Sequence, residues 1–390
     1  MSGERDLIVQ DVIRFISECK FSFFKYITAN ETGENGSHQA GIFIPKKIAR
    51  AMFGLNCLKG SNEDRFVHIR WEPYDVDTTS RIVYYGQGSR DEARLTRFGK
   101  GFFLSNDSNL IGSMLVMGTT EDSTEFKAFV IQTDEGEETF LNAFGFSPVN
   151  ACMLIEAGQL KEERDTIIEN YLSQIGDKFP ESAQISAWSE IVCSGSVPYG
   201  KSYDTLLLEY TQTEYALFRK IEEKLYLPII KRGFSSMKDF LDLSLALQNR
   251  RKSRAGKSLE HHLAFLFRMA KLRFEEQVIT EDKKKPDFVF PGGKEYHDPN
   301  FPANKLVVLG AKTTCKDRWR QVVTEADRVT TKYLCTLQQG NSPAQMKEMA
   351  DSHVKLVVPK AYIKAYPKEW QSSLLSLDSF IQFVKETSIR

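Results

Sequence analysis

Residues 283–290 have the sequence Lys-Lys-Lys-Pro-Asp-Phe-Val-Phe, and residues 306–318 have the sequence Leu-Val-Val-Leu-Gly-Ala-Lys-Thr-Thr-Cys-Lys-Asp-Arg. The two apolar runs predict two strands, with Asp287 opening the first strand and Lys312 closing the second. Phosphodiester hydrolysis needs a carboxylate that holds a hard cation such as Mg²⁺, and a cationic side chain near the scissile phosphate. The pair therefore predicts the catalytic centre of a nuclease.

A second carboxylate is displaced from its usual position. In the Pro-Asp, Asp/Glu-x-Lys pattern of many nucleases this acid lies two residues before the lysine, and here that residue is Gly310. After Lys316 the spacing of the apolar residues becomes helical, at Trp319, Val322, Val323, Ala326 and Val329. This spacing predicts a helix with Glu325 on its flank. We expect Glu325 to replace the missing strand acid and to bind Mg²⁺ together with Asp287.

A further acid precedes this region. An apolar stripe predicts a helix that begins near Ser258 as its N-cap, with Glu260 in the first turn, and the stripe contains Leu259, Leu263, Leu266, Phe267 and Ala270. By itself, this position favours an interaction between Glu260 and the helix dipole. Residues 256–258, Gly-Lys-Ser, do not form a phosphate-binding loop, because the motif requires a glycine where the chain has Arg251.

The triplet Lys316, Asp317 and Arg318 alternates basic and acidic side chains directly after the predicted catalytic lysine. Lysine and arginine can donate to guanine O6 and N7 in the major groove, while aspartate can accept from cytosine N4. The triplet therefore predicts recognition of G·C pairs. The alternative is a solvated helix start with Asp317 near the N-cap.

The stretch from Lys283 to Val329, with Asn249-Arg-Arg-Lys-Ser-Arg-Ala-Gly-Lys-Ser-Leu-Glu260 upstream, resembles the catalytic domain of the EcoRII-type restriction endonucleases. The resemblance extends across most of the chain and implies a PD-(D/E)xK-like core with a central mixed sheet. It implies catalytic roles for Asp287, Lys312, Glu325 and Glu260, and contact of the triplet with a CCxGG-type target. Tyr296 is also matched, and we expect it to be structural or to contact DNA.

The net charge of zero hides two oppositely charged halves. Residues 1–177 hold 18 Lys and Arg against 27 Asp and Glu, whereas residues 178–390 hold 34 against 25. A basic half is expected of a domain that binds DNA. Its strongest basic run, residues 250–257, makes Arg251 and Arg254 possible DNA contacts. The opposite charges also predict that the acidic half docks on the basic half and masks its cleft.

The N-terminal half has the pattern of a β-barrel. A helix is predicted at residues 7–20, and short apolar runs at 41–45, 65–71, 81–85 and 126–131 alternate with turn residues. Residues 28–41 and 89–101 resemble the two arms of the family's effector-binding domain, a pseudobarrel akin to plant B3 domains. The resemblance implies that four residues contact the effector DNA: His38, Arg90, Glu92 and Arg94. Taken alone, these segments are equally typical of solvated turns.

These observations together predict an α+β two-domain protein. The predicted B3-like effector domain covers residues 1–172, the linker 173–180 and the catalytic domain 181–390. The resemblance implies a Mg²⁺-dependent type IIE endonuclease that cuts both strands at a CCWGG- or CCNGG-like site. A second copy of the site would activate it, and its implied partners are duplex DNA, a second copy of the chain and a cognate DNA methyltransferase. A nicking repair endonuclease and a non-catalytic DNA-binding regulator remain the alternatives.

The same sequence predicts a bacterial or archaeal cytoplasmic protein without a membrane segment. The start Met-Ser-Gly-Glu-Arg-Asp is too charged for a signal peptide, and no run of 18 apolar residues exists. The six cysteines and six histidines show no paired metal-binding spacing.

Overall fold

The computed structural model describes residues 2–35, 41–105, 107–120, 124–156, 165–173, 175–194 and 201–389. Two mixed sheets with helices packed around them make the chain an α+β protein, with eight strands in one sheet and five in the other. In these residues, no helix is both long and apolar enough to cross a membrane.

In its described residues, the N-terminal half contains the eight-stranded sheet and three helices. Its elements are α1 (Ser2–Glu18), β1 (Phe21–Tyr26), β2 (Ile42–Ile44), α2 (Lys46–Phe53), β3 (Glu63–Glu72), β4 (Val76–Tyr85), β5 (Glu92–Thr96), β6 (Met114–Thr119), β7 (Glu125–Ile131), α3 (Asp134–Phe144) and β8 (Cys152–Glu156). The predicted helix at 7–20 and the four predicted strands are confirmed within a few residues.

The sheet has the order β2-β5-β4-β3-β7-β6-β1-β8, and its strand pairs are antiparallel except for β3 with β7. Strand β3 alternates as its sequence predicts, because Val67, Ile69 and Trp71 are buried while Phe66 and His68 are exposed. The buried side chains share one core with α2. The other face of the sheet is covered by α1 and α3.

Helix α3 presents acidic residues to the C-terminal half. Thr133 caps it by accepting from the Gly136 amide, and its first turn contains Asp134, Glu135 and Glu137. Negative charge is favourable in a first turn, because the helix dipole is positive there. Asp134 and Glu137 are nevertheless buried, which requires partners from elsewhere in the chain.

The C-terminal half contains the five-stranded sheet and eight helices among the described residues. Its elements are α4 (Asp165–Ser173), α5 (Ser182–Ser194), α6 (Tyr203–Arg232), α7 (Met237–Met269), β9 (Glu275–Glu276), β10 (Phe288–Phe290), α8 (Gly293–His297), β11 (Val307–Lys312), α9 (Trp319–Val323), β12 (Lys332–Thr336), α10 (Pro343–Asp351), β13 (Val354–Val357) and α11 (Leu377–Ile389).

The second sheet has the order β13-β12-β11-β10-β9. Strands β11, β12 and β13 are parallel, whereas β10 runs antiparallel to β11 and to β9. The start of β10 therefore lies beside the end of β11, which brings Asp287 next to Lys312 as the sequence predicts. Helices α6, α7 and α11 cover one face of this sheet, and α9 packs with α10 on the other.

Candidate active site

Asp287 and Lys312 lie in direct contact. The Asp287 Oδ2 atom accepts from Lys312 Nζ at 3.1 Å and from the backbone amide of Ala311 at 2.7 Å. Its Oδ1 atom accepts from Gln277 Nε2 at 3.0 Å. These three donors fix the orientation of the carboxylate, which is almost fully buried.

Close packing explains why β11 carries Gly310 where an acid is usual. A Cβ atom at this position would lie 2.7 Å from Val322 Cγ2, a side-chain atom of α9. Real Cβ contacts are essentially never this short. The helix therefore occupies the space that a strand carboxylate would need.

Glu325 lies near this pair, but on a turn and not on a helix. Helix α9 ends at Val323, and the next turn places Ala326 in the left-handed region at φ 57°. The predicted helical stripe through Val329 is therefore wrong in its second half. Burial and, to a smaller extent, the negative charge of Asp287 together raise the pKa of Glu325 to about 7, against the opposing effect of Lys312. The carboxylate therefore lies within electrostatic reach of both residues.

Glu260 approaches the same centre from α7. The expectation that a helix begins at Ser258 is wrong, because α7 begins at Met237 with Ser236 as its cap and includes Gly256 and Ser258 as interior residues. Glu260 is thus far from the helix N-terminus and its dipole. Burial and, to a smaller extent, the charge of Asp287 together raise the pKa of Glu260 to about 7.

The donor set has the chemistry of a magnesium site. Carboxylate oxygens are the protein ligands that Mg²⁺ prefers, and the buried Oε2 atom of Glu325 has no hydrogen-bond partner among the described residues. A divalent cation would also offset the mutual repulsion of Asp287, Glu260 and Glu325. In the described ranges, however, no three His, Cys, Asp or Glu side chains converge closely enough to hold a metal ion.

The triplet 316–318 contacts α3 of the N-terminal half, although the Asp317 side chain remains exposed. The Asp134 carboxylate accepts from the backbone amides of Lys316, Asp317 and Arg318 at 3.0, 2.8 and 3.3 Å. Lys316 Nζ pairs with Glu137, and both side chains are buried. Arg318 Nη2 donates to Glu138 Oε2 at 2.5 Å. We call these contacts between residues 134–138 and 316–318 the α3 latch.

Sequence reasoning missed the acidic half of this latch. The signal was present as the run Asp-Glu-Gly-Glu-Glu at residues 134–138, which also reads as an ordinary helix start. Burial raises the pKa of Glu137 more than the neighbouring Lys316 ammonium lowers it, so that the pKa is about 7.

Three further candidates, Arg251, Arg254 and Tyr296, contact other parts of the protein. Arg251 donates to the Glu222 carboxylate and to the carbonyls of Asn142 and Ala143 at the C-terminal end of α3. Arg254 is only 4% exposed. Tyr296 is buried and donates to Glu281 Oε2 at 2.6 Å, which favours its structural role.

The described effector candidates lie on one strand and in the segment directly before it. Glu92 and Arg94 lie on β5, where they form an ion pair at 3.2 Å, so the predicted second arm includes a strand. The guanidinium of Arg90 lies 5.3 Å from the ring centroid of Tyr85. His38 lies outside the described residues.

Both halves of the chain match known proteins. The family model described as the EcoRII C terminal matches residues 218–381, and the model of the N-terminal part of restriction endonuclease EcoRII matches residues 17–150. The type II restriction enzyme EcoRII of Escherichia coli is 35% identical over 391 residues, which covers 95% of each chain. The type II restriction enzyme SsoII of Shigella sonnei is 25% identical over 211 residues, 49% of this chain and 64% of that enzyme.

Two solved structures are similar in outline. Metal-depleted Ecl18kI in complex with uncleaved, modified DNA gives a TM-score of 0.47 at 19% identity, covering 58% of this chain and 84% of that one. The complex of restriction endonuclease PspGI with substrate DNA gives 0.45 at 12% identity, covering 59% and 98%.

The two matched halves and the full-length relative define a type II restriction endonuclease, which is a site-specific deoxyribonuclease. Within that class, the chain belongs to the EcoRII family.

Proposed function

We propose that the enzyme hydrolyses both strands of duplex DNA at a CCWGG- or CCNGG-like site, with Mg²⁺ as its cofactor. Asp287 and Glu325 would hold the ion, which would supply charge stabilisation at the scissile phosphate. Lys312 would donate from Nζ to the attacking water or to a phosphate oxygen, and Glu260 would support the site. The observation that carries this proposal is the 3.1 Å contact between Asp287 and Lys312 at adjacent strand ends.

We further propose that the N-terminal half is a B3-like domain that binds a second copy of the target and controls access to the first. The α3 latch supports this model, because the cationic groups of Lys316 and Arg318 cannot contact base edges while they pair with Glu137 and Glu138. Two other contacts tie the first predicted arm to the catalytic half. Ala29 donates through its amide to the Ala365 carbonyl at 3.3 Å, and the Lys368 amide donates to Asn35 Oδ1 at 2.8 Å.

The control model is tested by weakening the latch in the full chain. Asp134→Asn and Glu137→Gln remove charge from α3 without touching the proposed catalytic residues. Both variants are expected to cleave DNA with a single target faster than wild type, because the open state becomes less costly. Glu135→Gln is the matched control, since it removes a charge from the same helix turn outside the latch. Latch variants that leave single-site cleavage slow would exclude the model.

A second copy of the chain is proposed as the partner for cutting the second strand. Of the twelve large apolar side chains most exposed among the described residues, six cluster around the turn that joins α6 to α7: Leu227, Ile230, Met237, Phe240, Leu241 and Leu245. Such a concentration is typical of a protein interface. Phe240→Glu should yield monomers in analytical ultracentrifugation and convert double-strand cleavage into nicking. If the Phe240→Glu variant remains dimeric, the dimer interface lies elsewhere on the protein.

A further inference from the structure

A basic cleft lies between the start of α5 and the middle of α7. Its volume is about 760 Å³, and it is lined on α7 by Arg250, Arg254, Lys257 and His261. These residues are spaced i, i+4, i+7 and i+11, so they form one stripe along the helix. Of the described residues that line the cleft, only Glu181 is acidic, and it is exposed on the opposite wall. The cleft therefore has an excess of positive charge.

Arg254 offers donors at the base of this cleft. Its guanidinium is held between two rings, 3.7 Å from the Tyr215 centroid and 4.2 Å from that of Phe218. The side chain is 4% exposed, and neither Nε nor Nη1 has a hydrogen-bond partner among the described residues. The nearest carboxylate oxygen, Glu214 Oε1, is 3.9 Å from Nη1, beyond hydrogen-bond distance. Buried guanidinium donors are costly unless an acceptor reaches them.

The opposite wall supplies further donors. Helix α5 begins at Ser182; the amides of Gln184 and Ile185 donate to the Glu181 carbonyl, whereas those of Ser182 and Ala183 have no partner within the helix. The Ser182 Oγ atom is buried and has no hydrogen-bond partner among the described residues. At the mouth of the cleft, the Arg250 guanidinium lies 4.3 Å from the Phe179 ring centroid. Helix starts and arginine side chains both favour bound anions.

We infer that this cleft is a binding site for a phosphate-type oxyanion, and that in the DNA complex a backbone phosphate occupies it. The DNA part of this inference rests on the proposed function. The cleft lies beside the proposed catalytic centre, because Lys257 is close enough to Glu260 to act on its pKa, and His261 directly follows Glu260. A phosphate held there would fix the register of the DNA strand without reading its sequence.

The oxyanion site is tested first with inorganic phosphate. Thermal unfolding of the full chain is followed in phosphate and in sodium chloride of equal ionic strength. Binding to the folded state should raise the Tm of wild type by about 2 °C at phosphate concentrations well above Kd. The double variant Arg250→Gln/Lys257→Gln should lose this rise, and it leaves the buried Arg254 intact. Lys238→Gln is the matched control, since Lys238 is exposed on the same helix, about 18 Å from Arg250 and about 28 Å from Lys257.

The same variants then test whether a backbone phosphate of DNA occupies the cleft. Binding of random-sequence duplex is measured against salt concentration, and the double variant should lower the slope of log K against log salt by about 1–2, as expected for lost phosphate contacts. A lost Tm rise with an unchanged slope would overturn the DNA phosphate as occupant and leave a free anion. Phosphate that stabilises wild type and the double variant equally, or neither, would overturn the site itself.

The result is independent of catalysis. If wild type fails to cut DNA with Mg²⁺, the proposed function fails, while the phosphate-dependent Tm still decides whether the oxyanion site exists.

Discussion

At the scale of single residues, the proposed chemistry depends on Asp287, Lys312 and Glu325. Replacing any one by alanine should lower cleavage by about 100-fold or more, because a lost metal ligand or cation raises the barrier by several kcal/mol. Specific DNA binding should remain measurable in a gel-shift assay with Ca²⁺. Asp327→Asn is the control, as its exposed carboxylate lies two residues from Glu325. Wild-type cleavage by Glu325→Ala would end the hypothesis of a displaced carboxylate.

A substitution at Gly310 tests whether close packing excludes an acidic side chain from this position of β11. Gly310→Ala should lower the free energy of unfolding by about 1–3 kcal/mol, since the new Cβ meets Val322 at 2.7 Å. Urea unfolding measures this loss, and Val322→Ala in the same chain should recover part of it. Full stability of Gly310→Ala alone would contradict the packing argument.

At the scale of elements, three helices are joined by buried charges. His262 on α7 lies 3.1 Å from Glu190 on α5 and 2.9 Å from Glu214 on α6. Burial alone would lower the pKa of His262, but its hydrogen bonds to Glu190 and Glu214 outweigh burial and raise the pKa to about 9. The protonated histidine is therefore the form that the folded state favours.

This shift predicts the pH dependence of stability. Because the folded pKa of His262 exceeds the value near 6.5 expected for the unfolded chain, its contribution is fully present below pH 6.5 and is lost as the pH rises through 9. The Tm of wild type should therefore fall more steeply than that of His262→Gln between pH 6.5 and 9. Parallel curves for the two proteins would show that the histidine does not carry the effect.

The sequence predicted local features of the secondary-structure elements better than long-range ones. Asp287 and Lys312 were placed correctly, because strand alternation and antiparallel pairing are local properties. The predicted start of the helix that carries Glu260 was wrong. Serine is a common N-cap residue, but Ser258 lies inside α7, where tertiary packing buries it. The residue contacts of the α3 latch were not predicted, because they join residues about 180 positions apart in the sequence. The opposite charges of the two halves indicated only that the halves would dock.

At the scale of the whole molecule, the proposed control requires the N-terminal half. A chain that starts at residue 165 keeps Ile168 of α4 packed on α5 and α6. It should cleave DNA with one target that the full chain cuts poorly. Added duplex carrying the target should stimulate the full chain alone, because an effector shifts a closed state only if it binds the open state better.

The matched test of the effector site is Arg90→Ala or Arg94→Ala in the full chain. Each variant should abolish stimulation by added duplex and leave slow single-site cleavage intact. If the full chain cuts single-site DNA as fast as the shortened chain and ignores added duplex, control by the N-terminal half is excluded.

The α3 latch also limits how the target can change during evolution. Arg318 pairs with Glu138 in the closed state and is the residue proposed to read a base in the open state. A substitution that alters the base preference at this position therefore also loosens the closed state. A lineage that acquires a new target by changing Arg318 would, at the same step, become less restrained on unmodified host DNA. Compensation within residues 134–138 would have to accompany each change of specificity.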